Sequence, residues 1–269
     1  MDISSLGVTP VTRLKNLMKK LRDPKTGCPW DREQSFATIA PYTIEEAYEV
    51  ADAIERDHMD DLKEELGDLM FQVIFHAQIA DEKGFFDFDG ICDGLTEKMV
   101  RRHPHVFVQG DQRSAHEQTK AWETMKAEER AQKQARQDGP ISLLADVPVN
   151  LPALTRAEKL QKRAARVGFD WPSLDGVIDK ISEEAQELAQ AHDKMDADSI
   201  EDEMGDLLFA VTNLSRKLGV DPETALRRTN KKFCTRFHYI EQQASDNDTS
   251  IEQLTLDEME AHWQAAKRQ

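Results

Sequence analysis

The hydrophobic positions of this chain recur at the three- and four-residue intervals of amphipathic helices, and the alternation typical of strands is almost absent. The most regular stretch is an apolar seam that steps alternately by four and three residues: Ile200, Met204, Leu207, Val211, Leu214 and Leu218. A similar seam lies earlier in the chain, at Leu62, Leu66, Leu69 and Val73. The pattern predicts an all-α protein whose apolar stripes are buried between helices.

Capping residues, prolines and glycines divide the periodic segments into two sets of helices. The predicted helices of the first set cover residues 10–21, 43–58, 60–83, 89–102 and 114–137. Those of the second cover residues 151–168 and 175–192, then one that ends at Gly219, one that begins at Pro222 and one that begins after Thr255. Because Asp138-Gly139-Pro140 breaks the chain, we expect domains at 1–137 and 151–269 with a linker at 138–150.

Five acidic residues occur twice at a constant offset of 138 positions. Glu45, Glu46, Glu49, Glu65 and Asp68 recur as Glu183, Glu184, Glu187, Glu203 and Asp206 (183 − 45 = 138; 206 − 68 = 138). A period this long is not that of a solenoid repeat. It predicts a duplicated, four-helix-bundle-like domain in tandem.

The repeated acidic residues have the spacing of a metal site. Residues three apart share a helix face, so Glu184 and Glu187 point the same way on one helix, as do Glu203 and Asp206 on the next. If the two helices pack antiparallel, the four carboxylates converge and repel one another unless cations lie among them. An all-oxygen set suits Mg²⁺ or Mn²⁺ and a substrate phosphate. The N-terminal equivalents are Glu46, Glu49, Glu65 and Asp68.

These acidic residues have two alternative interpretations. Among 51 acidic residues, Glu-x-x-Glu is usually a solvated helix face, and Thr43-x-x-Glu46 has the spacing of a capping box. In the second copy Ile181 stands where Thr43 does and cannot cap, which favours the metal hypothesis. A diiron bundle needs Glu-x-x-His on two helices. Glu55-x-x-His58 has no second copy, because Asp193 and Asp196 stand there.

Cations and tryptophans recur in both halves at helical spacing. Lys232 and Arg236 are four apart and can hold one anion together, as can Lys98 and Arg102. Trp263 with Lys267, and Trp122 with Lys126, could meet a nucleobase and its phosphates, although such pairs taken singly are more often solvated or packed. Lys180 adds a cation one turn before Glu184. His103-Pro104-His105 has no metal-binding companions and is interpreted as a turn.

Composition limits the possible partners. The net charge of −16 disfavours nucleic acid and anionic membranes as partners. Cys28, Cys92 and Cys234 have no C-x-x-C spacing, which suits a reducing compartment. The most apolar stretch, residues 69–80, is too short to span a bilayer, and we expect a cytoplasmic protein.

Several motifs resemble the MazG family of nucleoside triphosphate pyrophosphohydrolases. They are Cys28-Pro29-Trp30-Asp31, the two Glu-Glu-x-x-Glu…Glu-x-x-Asp sets, Arg101-Arg102-His103-Pro104-His105-Val106-Phe107, Val167-Gly168-Phe169-Asp170-Trp171 and the segment 232–236. The resemblance implies an all-α enzyme that forms homodimers and hydrolyses NTPs or dNTPs to the monophosphate and pyrophosphate with Mg²⁺.

The resemblance also implies roles for particular residues. As metal ligands it indicates Glu184, Glu187, Glu203 and Asp206. Around the nucleotide it indicates Lys180, Glu183, Lys232, Phe233, Arg236 and Trp263. In two-domain members the C-terminal copy is regarded as the active one, and here Lys180 is matched by the uncharged Tyr42 in the first copy.

The chain has no persuasive Ser/His/Asp or Cys/His triad, so a metal-activated water is the expected nucleophile, and Glu183 is a candidate to orient or deprotonate it. Three alternative functions stay open: a pyrophosphohydrolase of narrow specificity, of the dUTPase or phosphoribosyl-ATP type; a non-catalytic nucleotide sensor; and a structural scaffold.

Overall fold

The residues that the computed structural model describes are mainly helical. These are residues 3–107 and 142–268, together with residues 114, 117, 118, 121, 124, 125 and 129. Within them no residue belongs to a β-strand, which confirms the predicted all-α class. The chain divides into two compact units, Met1–Ala127 and Glu128–Gln269. The predicted break at residues 138–140 lies outside the described residues, so the exact domain limits stay a prediction.

The first unit contains six described α-helices after a short 3₁₀ turn at Ile3–Leu6. They are α1 Pro10–Leu21, α2 Pro29–Glu33, α3 Phe36–Glu55, α4 Met59–Glu82, α5 Phe88–Arg102 and α6 Pro104–Phe107. Helices α3 and α4 form a hairpin whose connection includes Asp57 at φ 56°. Helix α1 packs on α4, and the core between these helices is formed by Met18, Ile39, Ile74, Phe75 and Ile79.

The second unit repeats the hairpin. Its α-helices are α7 Ala153–Ala165, α8 Leu174–Asp193, α9 Ala197–Lys217, α10 Pro222–Asp246 and α11 Leu256–Ala266, with a 3₁₀ turn at Ile251–Gln253. Helices α8 and α9 begin 138 residues after α3 and α4 (174 − 36 = 138; 197 − 59 = 138), so the offset of the acidic residues is also the offset of the helices that carry them. Helix α7 packs on α9 and α10, and α11 packs on α10.

The beginning of α3 differs from its prediction. The helix starts at Phe36 rather than at residue 43, because Ser35 and Thr38 cap each other reciprocally at its N-terminus, and it continues through Pro41. Thr43 therefore lies inside the helix, where its hydroxyl donates to the carbonyl of Ile39 at 3.3 Å. The capping-box interpretation of Thr43 and Glu46 is wrong, and Glu46 is not explained by capping.

Two local predictions also differ from the structure. Residues Pro29–Glu33, which none of the predicted helices covers, form the short helix α2, and residues 104–107 form α6 rather than a simple turn. The apolar stripe of α9 is not fully buried: Met204, Val211 and Leu218 are 44%, 46% and 57% exposed. Within the described part of the second unit, neighbouring side chains therefore cover only part of this stripe. Among the described helices, none combines the length and apolarity needed to cross a bilayer.

Candidate active site

Three of the C-terminal acidic side chains converge between α8 and α9. Glu184 and Glu187 from α8 and Glu203 from α9 each place one carboxylate oxygen within 4.8 Å of the others. The helical spacing of three residues puts the first two on one face, and the packing of the hairpin brings the third to them. Asp206 lies outside this group, although its charge acts on Glu203.

The C-terminal cluster concentrates negative charge at a partly desolvated position. Glu184 is only 3% exposed although it is ionisable. Partial burial, followed by the charges of Glu187 and Glu184, raises the pKa of Glu203. Such an arrangement is unfavourable for the bare carboxylates and favourable once a cation is bound among them.

Lys180 contacts this cluster from the preceding turn of α8. Its ammonium nitrogen lies 2.5 Å from Glu184 Oε1 and donates to Glu183 Oε1 at 3.0 Å. The hydrogen bonds to Glu184 and then to Glu183 hold the pKa of Lys180 above its usual range. Glu183 is exposed beside the buried Glu184, so the two adjacent carboxylates face different surroundings.

The N-terminal unit has an equivalent cluster with a different partner. Glu46, Glu49 and Glu65 place one carboxylate oxygen each within 4.8 Å of one another. Here the amide Nε2 of Gln72 donates to Glu46 Oε1 at 3.3 Å. Gln72 is 7% exposed, and its own Oε1 is buried without a hydrogen-bond partner among the described atoms.

Repulsion is also evident in the N-terminal cluster. Burial, then the charges of Asp68 and Glu49, raises the pKa of Glu46. Partial burial and the charges of Glu49 and Asp68 likewise raise the pKa of Glu65. Both clusters therefore have the all-oxygen donor set and the raised carboxylate pKa values that fit a hard divalent cation such as Mg²⁺.

Predicted nucleotide-binding residues of α10 form a second group around Trp263, which lies on α11. The Phe233 ring lies 5.3 Å from the Trp263 ring, and the Arg236 guanidinium lies over that ring at 5.4 Å. Lys232 is exposed next to Phe233. Within residues 142–268, the described contacts therefore join the acidic residues to Lys180, and Phe233 and Arg236 to Trp263.

The first unit holds only part of a matching group within the described residues. Lys98 and Arg102 stand on α5 ten and fourteen residues after its first residue, as Lys232 and Arg236 do on α10 (98 − 88 = 232 − 222 = 10). Trp122 and Lys126 lie outside the described residues. Helices α5 and α10 are related by an offset of 134 rather than 138 (222 − 88 = 134), which is why this correspondence is less apparent in the sequence.

Gln72 was not predicted as part of a site. It could have been noticed because the offset of 138 pairs it with Ala210, so the copies differ at a position one turn after the Glu-x-x-Asp motif. Its contact with Glu46 depends on the packing of α3 against α4, which the sequence does not provide.

The fold and the two clusters define a tandem all-α protein with paired carboxylate sites. The family model described as the MazG nucleotide pyrophosphohydrolase domain matches the chain twice, over residues 34–107 and 173–240. Each match contains one acidic cluster. The chain belongs to the MazG family, as its motifs indicated.

Two relatives extend this similarity over nearly the whole chain. The chain is 50% identical over 261 residues to a nucleoside triphosphate pyrophosphohydrolase of Escherichia coli (strain K12), covering 96% of this chain and 97% of that protein. It is 44% identical over 254 residues to a nucleoside triphosphate pyrophosphohydrolase/pyrophosphatase MazG of Thermotoga maritima, covering 94% of each. The similarity therefore includes both units.

Proposed function

We propose that the chain is a Mg²⁺-dependent enzyme that hydrolyses NTPs and dNTPs to the monophosphate and pyrophosphate, with Mn²⁺ as an alternative cation. Hydrolysis of nucleoside triphosphates at an acid anhydride follows from family membership and from the names of full-length relatives. The observation that supports the metal requirement most is the convergence of Glu184, Glu187 and Glu203 within 4.8 Å.

The proposed metal ligands are Glu184, Glu187, Glu203 and Asp206. The first three already converge, and Asp206 stands one turn after Glu203 on the same helix. A bound divalent cation would activate a water and neutralise charge on the departing pyrophosphate. Glu183 is exposed next to Glu184, a position from which it could orient or deprotonate that water.

The second group of side chains is proposed to bind the rest of the substrate. Lys232 and Arg236 would hold phosphate oxygens, while Phe233 and Trp263 offer aromatic surface to the base or sugar. Lys180 would assist at the triphosphate, since its flexible ammonium can donate to phosphate oxygens as it does to carboxylates. Glu183 completes this set of substrate-contacting residues.

A homodimer is proposed as the working form. The stripe of α9 leaves Met204, Val211 and Leu218 about half exposed, and such apolar surface favours contact with a second copy. The net charge of −16 argues against nucleic acid as a partner, and the spacing of cysteines suits a cytoplasmic location.

The direct test is a panel of NTPs and dNTPs incubated with Mg²⁺, Mn²⁺ or EDTA, with pyrophosphate and orthophosphate measured separately. We expect pyrophosphate and monophosphate as primary products and no activity in EDTA. Release of diphosphate and orthophosphate would point to another class of phosphohydrolase. Turnover of one nucleotide alone would indicate an enzyme of narrow specificity, and binding without turnover would indicate a sensor.

A further inference from the structure

The two acidic clusters differ in the side chain that contacts Glu184 and its equivalent, Glu46. In the C-terminal cluster the partner of Glu184 is the charged Lys180, which also contacts Glu183. In the N-terminal cluster the partner of Glu46 is the neutral amide of Gln72. At the offset of 138, Lys180 is replaced by Tyr42 and Gln72 by Ala210, so each copy has one of the two partners.

We propose that Lys180 takes the place of a divalent cation at Glu184 and transfers to the triphosphate when the substrate binds, so that cation and nucleotide bind cooperatively. This inference rests on the function proposed above and concerns the order in which its parts assemble. Lys180 thus competes with the cation for Glu184 before it contacts the substrate.

Electrostatics supplies the competition. With Lys180 in place, the three converging carboxylates are offset by one positive charge, and an arriving divalent cation meets an ammonium 2.5 Å from one of its ligand groups. Like charges at this range repel strongly where water is largely excluded, and Glu184 is 3% exposed. Cation binding is therefore weak until Lys180 moves away.

The geometry gives Lys180 a path for this movement. Its side chain is about one-third exposed and is anchored to Glu183, whose side chain is 56% exposed, as well as to the nearly buried Glu184. The ammonium can leave Glu184 while it remains near Glu183, because its four-carbon stem is flexible and its three donors rotate freely. A triphosphate at the cluster provides the anionic oxygens that replace Glu184 as its partner.

Among the described residues of the first unit, the partner of Glu46 is the neutral amide of Gln72 rather than a charged competitor. A cation can bind the N-terminal cluster without a nucleotide, because Gln72 carries no charge that a nucleotide would have to draw away from Glu46. Cation binding at the N-terminal cluster must therefore be removed before cation binding at the C-terminal cluster is measured. The variant Glu46→Gln/Glu49→Gln provides that background in the full-length chain.

The test is a titration of this background variant with Mn²⁺, followed by electron paramagnetic resonance, with and without an α,β-imido nucleoside triphosphate. We expect Lys180→Gln to bind Mn²⁺ about tenfold more tightly than the parent without nucleotide. The increase in Mn²⁺ affinity caused by the nucleotide should fall by about the same factor, because coupling between two ligands is reciprocal. Lys180→Arg keeps the charge and should behave like the parent.

Equal or weaker Mn²⁺ binding by Lys180→Gln without nucleotide would overturn the proposal, as would tighter binding by both Lys180→Gln and Lys180→Arg. These outcomes leave the proposed hydrolysis intact if the wild-type chain still releases pyrophosphate. Absence of Mn²⁺ binding at this cluster in every variant would overturn both the coupling and the metal-dependent function.

Discussion

Gln72 donates a hydrogen bond to Glu46 across the α3–α4 hairpin, from Nε2 to Oε1 at 3.3 Å, whereas Glu184, the equivalent of Glu46 in the second copy, pairs with Lys180 of its own helix. The carboxylate clusters are alike in composition, but among the described residues Glu184 pairs with a cation that can serve a phosphate and Glu46 pairs with a neutral amide. This difference is the structural reason to expect catalysis in the second unit.

Removing one charge from the C-terminal cluster should stabilise the protein at neutral pH. Partial burial and the charges of Glu187 and Glu184 raise the folded-state pKa of Glu203 above its unfolded value, so ionising it disfavours the fold. We expect Glu203→Gln to raise Tm by a few degrees at pH 7 in EDTA. The gain should shrink as pH falls through the raised pKa towards 4.5, where wild-type Glu203 is also neutral.

Differential scanning calorimetry at pH 7 and pH 4 measures this effect. Glu201→Gln, an exposed position on the same helix, is the matched control and should change Tm little at either pH. Added Mg²⁺ should raise Tm more for the wild type than for Glu203→Gln, because it binds the folded cluster. A lower Tm for Glu203→Gln at pH 7 in EDTA would show that the carboxylates are not under repulsion.

Arg22 is expected to be the most sensitive ion-pair residue of the first unit. Its guanidinium, 6% exposed, donates to both carboxylate oxygens of Glu82 at 2.9 and 2.7 Å and to the carbonyls of Asp31 and Gln34. Arg22→Ala removes these bonds together and should cost about 3 kcal/mol. Lys19→Ala, which breaks an exposed pair with Asp81 at 3.7 Å, should cost less than about 1 kcal/mol. Urea denaturation of both variants tests the comparison, and equal costs would contradict it.

The proposed dimer contact can be tested on the half-exposed stripe of α9. Light scattering should give about 61 kDa for the wild type, twice the chain mass of 30.7 kDa. Val211→Glu places a charge where apolar contact is expected and should weaken association at least tenfold without loss of helix by circular dichroism. Leu256→Glu, at an 80% exposed position on α11, should leave association unchanged. A wild-type mass near 31 kDa would refute the dimer.

The helices and the repeat were predictable because they depend on local spacing. The spacing of apolar residues predicted a helix over residues 175–192, and both ends of α8 lie within one residue of that prediction. The constant offset of 138 residues located both sets of carboxylates. The start of α3 was misplaced because proline is uncommon inside a helix, and Pro41 favours a later start than the one Ser35 provides.

The contacts between helices were not predictable from spacing. The carboxylates were known to share a face, but their approach to within 4.8 Å depends on how α8 packs against α9. The pairing of Arg236 with Trp263 depends in the same way on the packing of α10 against α11. Gln72 was overlooked because a single buried amide has no periodic pattern.

The most direct test of the central claim compares pyrophosphate release by Glu184→Ala and Glu46→Ala in the full-length chain with Mg²⁺ and an NTP. These residues occupy equivalent positions in the two clusters. If the C-terminal cluster holds the catalytic cation, Glu184→Ala should lower the rate at least about a hundredfold, and Glu46→Ala should stay within about threefold of wild type. Near wild-type release by Glu184→Ala, or an equal loss in Glu46→Ala, would contradict the account.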